Sequence, residues 1–241
     1  WLATADSGST STGALDILTG SSPAGTTGPL RIQTGSNLEQ SGEIIVQSGT
    51  ADSSGNFDLG SGSGVRSSGD VALTSGVAQD TGSVLISSGA SDSASGHVVL
   101  KSGASQSASG TVEISTGDAE VAAGHILLAA GQSSSAAAEL TAVAGKGALD
   151  GGRLSLASGM AVAGTSGDAT LLTGDGPSSG QLRLATGSAS ELAAGDIVLE
   201  NGRSVTRAGG IMLEAGSSET TDGGSVVITA GLSETTQDGD I

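Results

Sequence analysis

Aliphatic residues recur along this chain in pairs two positions apart, and the pairs themselves recur every 13 to 15 residues. With the glycine that opens each copy numbered as place one, the unit reads Gly, polar, aliphatic, variable, aliphatic, variable, Ser/Thr/Ala, Gly, and then about six small or polar residues. Opening places fall at Gly13, Gly28, Gly42, Gly55, Gly69, Gly82, Gly96, Gly110 and Gly124, and continue at Ala138, Gly152, Gly167, Gly180, Gly195, Gly209 and Gly224. A further copy opens at Gly239 and stops at Ile241. Fixed-period self-similarity marks a repeat architecture, and apolar residues two apart mark one face of a strand.

The alternation therefore predicts an all-β fold, a β-solenoid in the form of a narrow parallel β-helix of about 16 short coils with Gly-rich turns. Its core is expected at the third and fifth places: Leu15, Ile17, Val71, Leu73, Val84, Ile86, Val98, Leu100, Val112, Ile114, Ile126, Leu128, Leu154, Leu156, Leu182, Leu184, Ile197, Leu199, Ile211, Leu213, Val226 and Ile228. Six or seven residues between glycines are too few for a helix, and the residue types at these places favour strands. Glycines at the first and eighth places, as at Gly82, Gly89, Gly96, Gly103, Gly110 and Gly117, are expected to set tight bends on opposite sides of a flattened coil.

The second half of the unit differs. Its tenth place is small at Ser22, Ala51, Ala78, Ser105, Ala119, Ser133, Ala161 and Ser204, and the residue before the next glycine is small at Ser95, Ser109, Ala123 and Ala194. Small residues there suit an asymmetric interior, in which an aliphatic sheet faces Ala, Ser and Gly at close range. The alternative geometry places two sequence repeats in each coil, with aliphatic strands facing one another across a thicker core. Residues 1–12 form a degenerate N-terminal segment, and residues 13–241 one continuous repeat domain. The stop in mid-repeat at Ile241 suggests an incomplete C-terminus, since solenoids cover their terminal edges.

Composition limits the core. Among 241 residues there are 42 Gly, one Trp, one Phe and no Tyr, so any interior must be thin. The periodicity of the aliphatics argues against reading this composition as disorder. The formal charge of −17 opposes binding to nucleic acid and favours solubility and attraction for cations. With no Cys, the chain has no disulfide framework and no thiolate chemistry. No apolar run reaches membrane-spanning length, and no signal-peptide pattern opens the sequence.

Candidate chemistry is sparse. His97 and His125 share the second place with Thr111 between them, which would set the imidazoles roughly 10 Å apart on a regular ladder, too far to share a metal. Serine is too abundant for its proximity to either histidine to mark a triad. The stretch "GSGSGVRSSG" from Gly60 lacks the Lys-Ser/Thr ending of a phosphate loop, and the acidic residues lack EF-hand and calcium β-roll spacing. Glu139, Arg153 and Asp168 occupy the second place in successive copies, as Asp16 and Arg31 occupy the fourth, so charge ladders could help fix register. Glu200 and Glu214 meet at the sixth place, where weak, nonselective divalent-cation association is allowed for. No catalytic, cofactor or specific metal site is expected.

The short coil built from small residues resembles the β-solenoids of ice-binding proteins, which implies a ladder fold carrying a flat, regular Thr array. In this sequence the outward fourth and sixth places hold Asp16, Leu18, Arg31, Gln33, Ile45, Gln47, Val99 and Lys101, an irregular set. The Ser and Thr column of Thr19, Thr34, Ser48, Ser61, Ser75, Ser88, Ser102 and Thr116 turns inward by alternation. The expected function is accordingly that of a non-catalytic structural repeat protein: a stiff, acidic rod, fibre or filament segment, extracellular or at the cell surface. It would self-associate end to end or belong to a longer chain. The alternative is a surface-binding module for ice, mineral, carbohydrate or divalent cations.

Overall fold

A computed structural model describes residues 2–8 and 11–232. The expected last copy, from Gly239 to Ile241, lies outside the described residues. Among the described residues there is no helix and no strand, which overturns the β-solenoid, the parallel β-helix and the variant with two repeats per coil. None of the described side chains is buried. The chain exposes 24601 Å². A compact fold of its 22.7 kDa would expose about 9,500 Å² and the extended chain about 33,000 Å². Backbone proximity divides it into two units, Trp1–Ile126 and Leu127–Ile241.

The period survives without the ladder, because each copy consists of an arm over places one to eight and a loop that bends at places ten to thirteen. Bends fall at residues 51–53, 78–80, 92–93 and 106–107 in the first unit, and at 134–136, 148–150, 205–206 and 219–221 in the second. The tenth place explains six of them, those that follow Ser91, Ser105, Ser133, Gly147, Ser204 and Ser218, whereas Ala51 and Ala78 offer no acceptor at 51–53 and 78–80. The Oγ atoms of Ser91 and Ser105 accept from the N–H groups of Ser93 and Ser107 at 3.2 and 3.1 Å. Ser133 Oγ accepts from Ser135 N at 3.1 Å, and Ser204 Oγ from Thr206 N at 3.3 Å and Arg207 N at 3.2 Å. Ser218 Oγ receives Thr220 N and Thr221 N in the same way, and Asn37 Oδ1 receives Leu38 N at 2.6 Å. A short polar side chain that bonds its own following backbone starts a turn. At Gly64 and Gly147, also tenth places, a Cβ would run into the carbonyl oxygens of Ser67 and Asp150. In the Ser, Asn and Gly copies this place thus serves the bend, and with no strand among the described residues the sequence-based expectation of a small-residue sheet facing the aliphatics is corrected.

Most loops close on themselves at a neck, those before Gly28, Gly55 and Gly82 excepted. In the first unit, a Cβ at Gly42 would stand 3.4 Å from Thr34 Cγ2, and one at Gly110 would stand 3.8 Å from Ser102 Cβ. Thr34 Oγ1 also donates to the carbonyl of Gly42 at 3.1 Å. In the second unit the backbones themselves meet: Gly152 N donates to Gly145 O at 2.8 Å, Gly167 N to Gly159 O at 3.0 Å and Gly224 N to Gly216 O at 2.8 Å. A Cβ on Gly152 would lie 2.9 Å from Gly145 N, closer than real side chains come. The seventh and eighth places of one copy therefore touch the first place of the next. A copy that delivers the chain to this point cannot also bring it back over its own start, which is why the expected coil does not close.

The expected turn glycines occupy the arms and necks. Gly96 and Gly110 abut Ser88 and Ser102 of the preceding copies, whereas Gly82, Gly89, Gly103 and Gly117 have open space where a Cβ would be. Only Gly164 among the described residues has a left-handed φ, at 127°, and it lies in a loop bend over residues 162–164.

Replacing Gly147 by Ala is expected to displace the bend at 148–150, because the Asp150 carbonyl must move, at a local cost of about 1–3 kcal/mol. Gly82→Ala meets no atom and is expected to be neutral or stabilising by up to about 1 kcal/mol through the unfolded chain. Amide exchange and backbone shifts over residues 147–152 distinguish the two. An unchanged spectrum for Gly147→Ala would count against the bend.

Candidate binding surface

The arms have two unlike sides. Alternation along an extended chain sends odd places to one side and even places to the other. In the arm opening at Gly82, Val84 at the third place is 49% exposed, Leu85 at the fourth 85% and Ile86 at the fifth 70%. The same order holds at 44–46, 126–128, 197–199, 211–213 and 226–228; at 98–100 the third place is again lowest and the other two are level. Loop aliphatics such as Val77, at 102%, are shielded by nothing. The six described residues that are partly buried are Thr4, Thr34, Ser102, Ala144, Ala215 and Ala230, and all but Thr4 occupy the seventh place, at the neck.

Every aliphatic residue expected in a core, from Leu15 and Ile17 through Val112 and Ile114 to Val226 and Ile228, is exposed. These residues share a side of their arms without being enclosed by anything. The odd side is also uncharged: in sixteen copies no Asp, Glu, Lys or Arg occupies the third, fifth or seventh place. Charges fall at even arm places, as at Asp16, Arg31, Lys101 and Arg183, or in loops, as at Asp92, Glu120 and Lys146. The even places also bond among themselves. Ser115 Oγ donates to Glu113 Oε1 at 3.3 Å, and Thr141 Oγ1 to Glu139 Oε1 at 2.6 Å, in each case two residues apart. The Glu139 carboxylate is thus engaged within its own arm.

His97 and His125 stand exposed at second places of the arms, on the charged side. Glu200 and Glu214 are exposed at sixth places. Among the described residues no group of three or more His, Asp or Glu side chains is arranged to hold a metal ion, and no cavity opens. No helix among them is long and apolar enough to cross a membrane. No protein-family model, no curated protein and no solved structure matches the chain.

The segregation was legible in the sequence, where alternation turned the Ser and Thr column to the same side as the aliphatics; what was not legible is that nothing encloses that side.

An open apolar side is expected to take up a neutral hydrophobic dye. Nile red emission in the presence of the protein should rise and shift to the blue. Val84→Ser with Ile86→Ser should reduce that response more than Leu85→Ser with Val99→Ser. Equal losses from both pairs would show that the arms have no distinct apolar side.

Proposed function

We propose that this protein is a non-catalytic structural repeat protein, an acidic segment of an extracellular or cell-surface fibre or filament. The observation that supports this reading most directly is the recurrence of one local device, an arm and a loop closed at its neck, in both units of the chain. An enzyme concentrates unlike residues at one place, and a pocket forms there. This chain spends its length on copies of one surface. Its excess negative charge keeps such a surface soluble and discourages adhesion to nucleic acid. In this reading, copies join end to end or the repeats continue in a longer chain, and divalent cations associate only weakly and without selectivity.

Electron microscopy with mass-per-length measurement tests the proposal. Assemblies of uniform mass per length are expected, and incubation with polysaccharides should yield no products. Ice recrystallisation should proceed as in buffer. Product formation, or inhibition of ice growth that is lost when an even-place column is altered, would replace the structural reading by a catalytic or surface-binding one.

A further inference from the structure

We infer that the uncharged odd side of the arms is a pairing surface for a second copy of this chain. Within the unit Trp1–Ile126 the third and fifth places carry aliphatic side chains or Phe57 in every copy, and each remains about half exposed or more. A fully buried side chain of this kind removes on the order of 60–120 Å² of apolar area from water, so the parts left open on the separate arms of this unit sum to about 500–1,200 Å². A stable interface buries about 800 Å² per partner.

Three features select a copy of the chain over other partners. The apolar groups come two per arm, with a step of 13 to 15 residues between arms, and a copy presents the same step. Apart from Phe57 and Asn201 the odd places are small or aliphatic, and none is charged, so two such sides meet without burying a charge. A two-fold pairing is self-complementary, so one surface serves both partners. The charge of −17 per chain opposes pairing through the even places and loops, and leaves the odd side as the face on which copies approach with least repulsion. This pairing is lateral and goes beyond the end-to-end joining proposed above.

Sedimentation equilibrium of the full chain tests the inference. A shift from 22.7 kDa towards twice that mass is expected as concentration rises. The shift should strengthen when salt goes from 0.15 to 1 M, because the screening length falls from about 8 to about 3 Å. Val84→Glu with Val98→Glu should hold the chain at monomer mass, while Leu85→Glu with Val99→Glu, on the other side, should leave pairing intact. The absence of native cysteine allows a second readout with milder substitutions. Under pairing conditions the thiol of Val84→Cys should be alkylated at least several-fold more slowly than that of Leu85→Cys, and dilution should shrink the difference to the roughly twofold gap in their exposure within one chain. A chain that stays monomeric at every concentration and salt, or equal alkylation of the two thiols, overturns the inference. Long assemblies that persist in Val84→Glu with Val98→Glu overturn lateral pairing while supporting the filament. Discrete pairs with no longer assembly support lateral pairing and count against the filament.

Discussion

The contact between the seventh place of one copy and the opening glycine of the next governs this structure. It is tightest at Gly152, where a Cβ would stand 2.9 Å from Gly145 N, and elsewhere it sets small side chains beside the opening glycine: Thr34 by Gly42, Thr116 by Gly124, Ala215 by Gly224. It also dictates what happens between them. A segment of six to eight residues that must return to its starting point needs a sharp reversal near its middle, and the tenth place supplies it through Ser and Asn oxygens or through the bare backbone of Gly64 and Gly147. Arm, bend and neck are thus three consequences of one closure.

The same closure decides the fate of the backbone. Had successive arms lain over one another, their N–H and C=O groups would have paired along a ladder and the side chains between them would have been enclosed. Among the described residues the backbone pairs with itself only at three necks, and the arms' polar groups turn to water instead. With no neighbouring arm laid beside it, nothing comes to cover the side chains that such a backbone carries. Exposure of Leu100 or Ile228 therefore follows from the path of the main chain and says nothing against their apolar character. The in-and-out alternation persists because it belongs to the extended conformation itself, ahead of any partner.

The period, the alternation and the placement of charge were legible in the amino-acid sequence. The return path was not. Gly at the first and eighth places, seven apart, read as two equivalent corners, yet Gly96 and Gly110 meet the preceding copy while Gly89 and Gly103 meet nothing. A spacing in sequence does not distinguish a corner that turns towards the next layer from a neck that closes a loop. The tenth place shows the same ambiguity from the other direction. Ser, Ala and Gly there satisfied an argument about packing across an interior, but Ser and Gly followed by a polar run are also turn residues, and the hydrogen bonds of Ser91, Ser133 and Ser218 identify the latter cause. Small residues carry little information about which of two reasons makes them small. The charge-free columns at odd places carry more, because alternation alone would allow a charge to point outward at any place that is not enclosed.

The neck also accounts for the uneven period. Because it brings the end of one arm to the start of the next, residues added to a loop lengthen the excursion without displacing the following arm. Necks closed by backbone hydrogen bonds occur at a spacing of 14 residues, at Gly152, and of 15, at Gly167 and Gly224, with lengths of 2.8 to 3.0 Å. Open necks occur at both extremes of spacing: at Gly55 and Gly82, after 13 residues, and at Gly28, after 15, no atom lies within 4 Å of a Cβ position. A loop can be long at little cost but cannot be shorter than its own reversal. Length variation is accordingly confined to the polar half of the unit, and the aliphatic pairs keep their relation to the neck from copy to copy. That is the condition under which a side of the molecule remains regular while the sequence that spaces it is not.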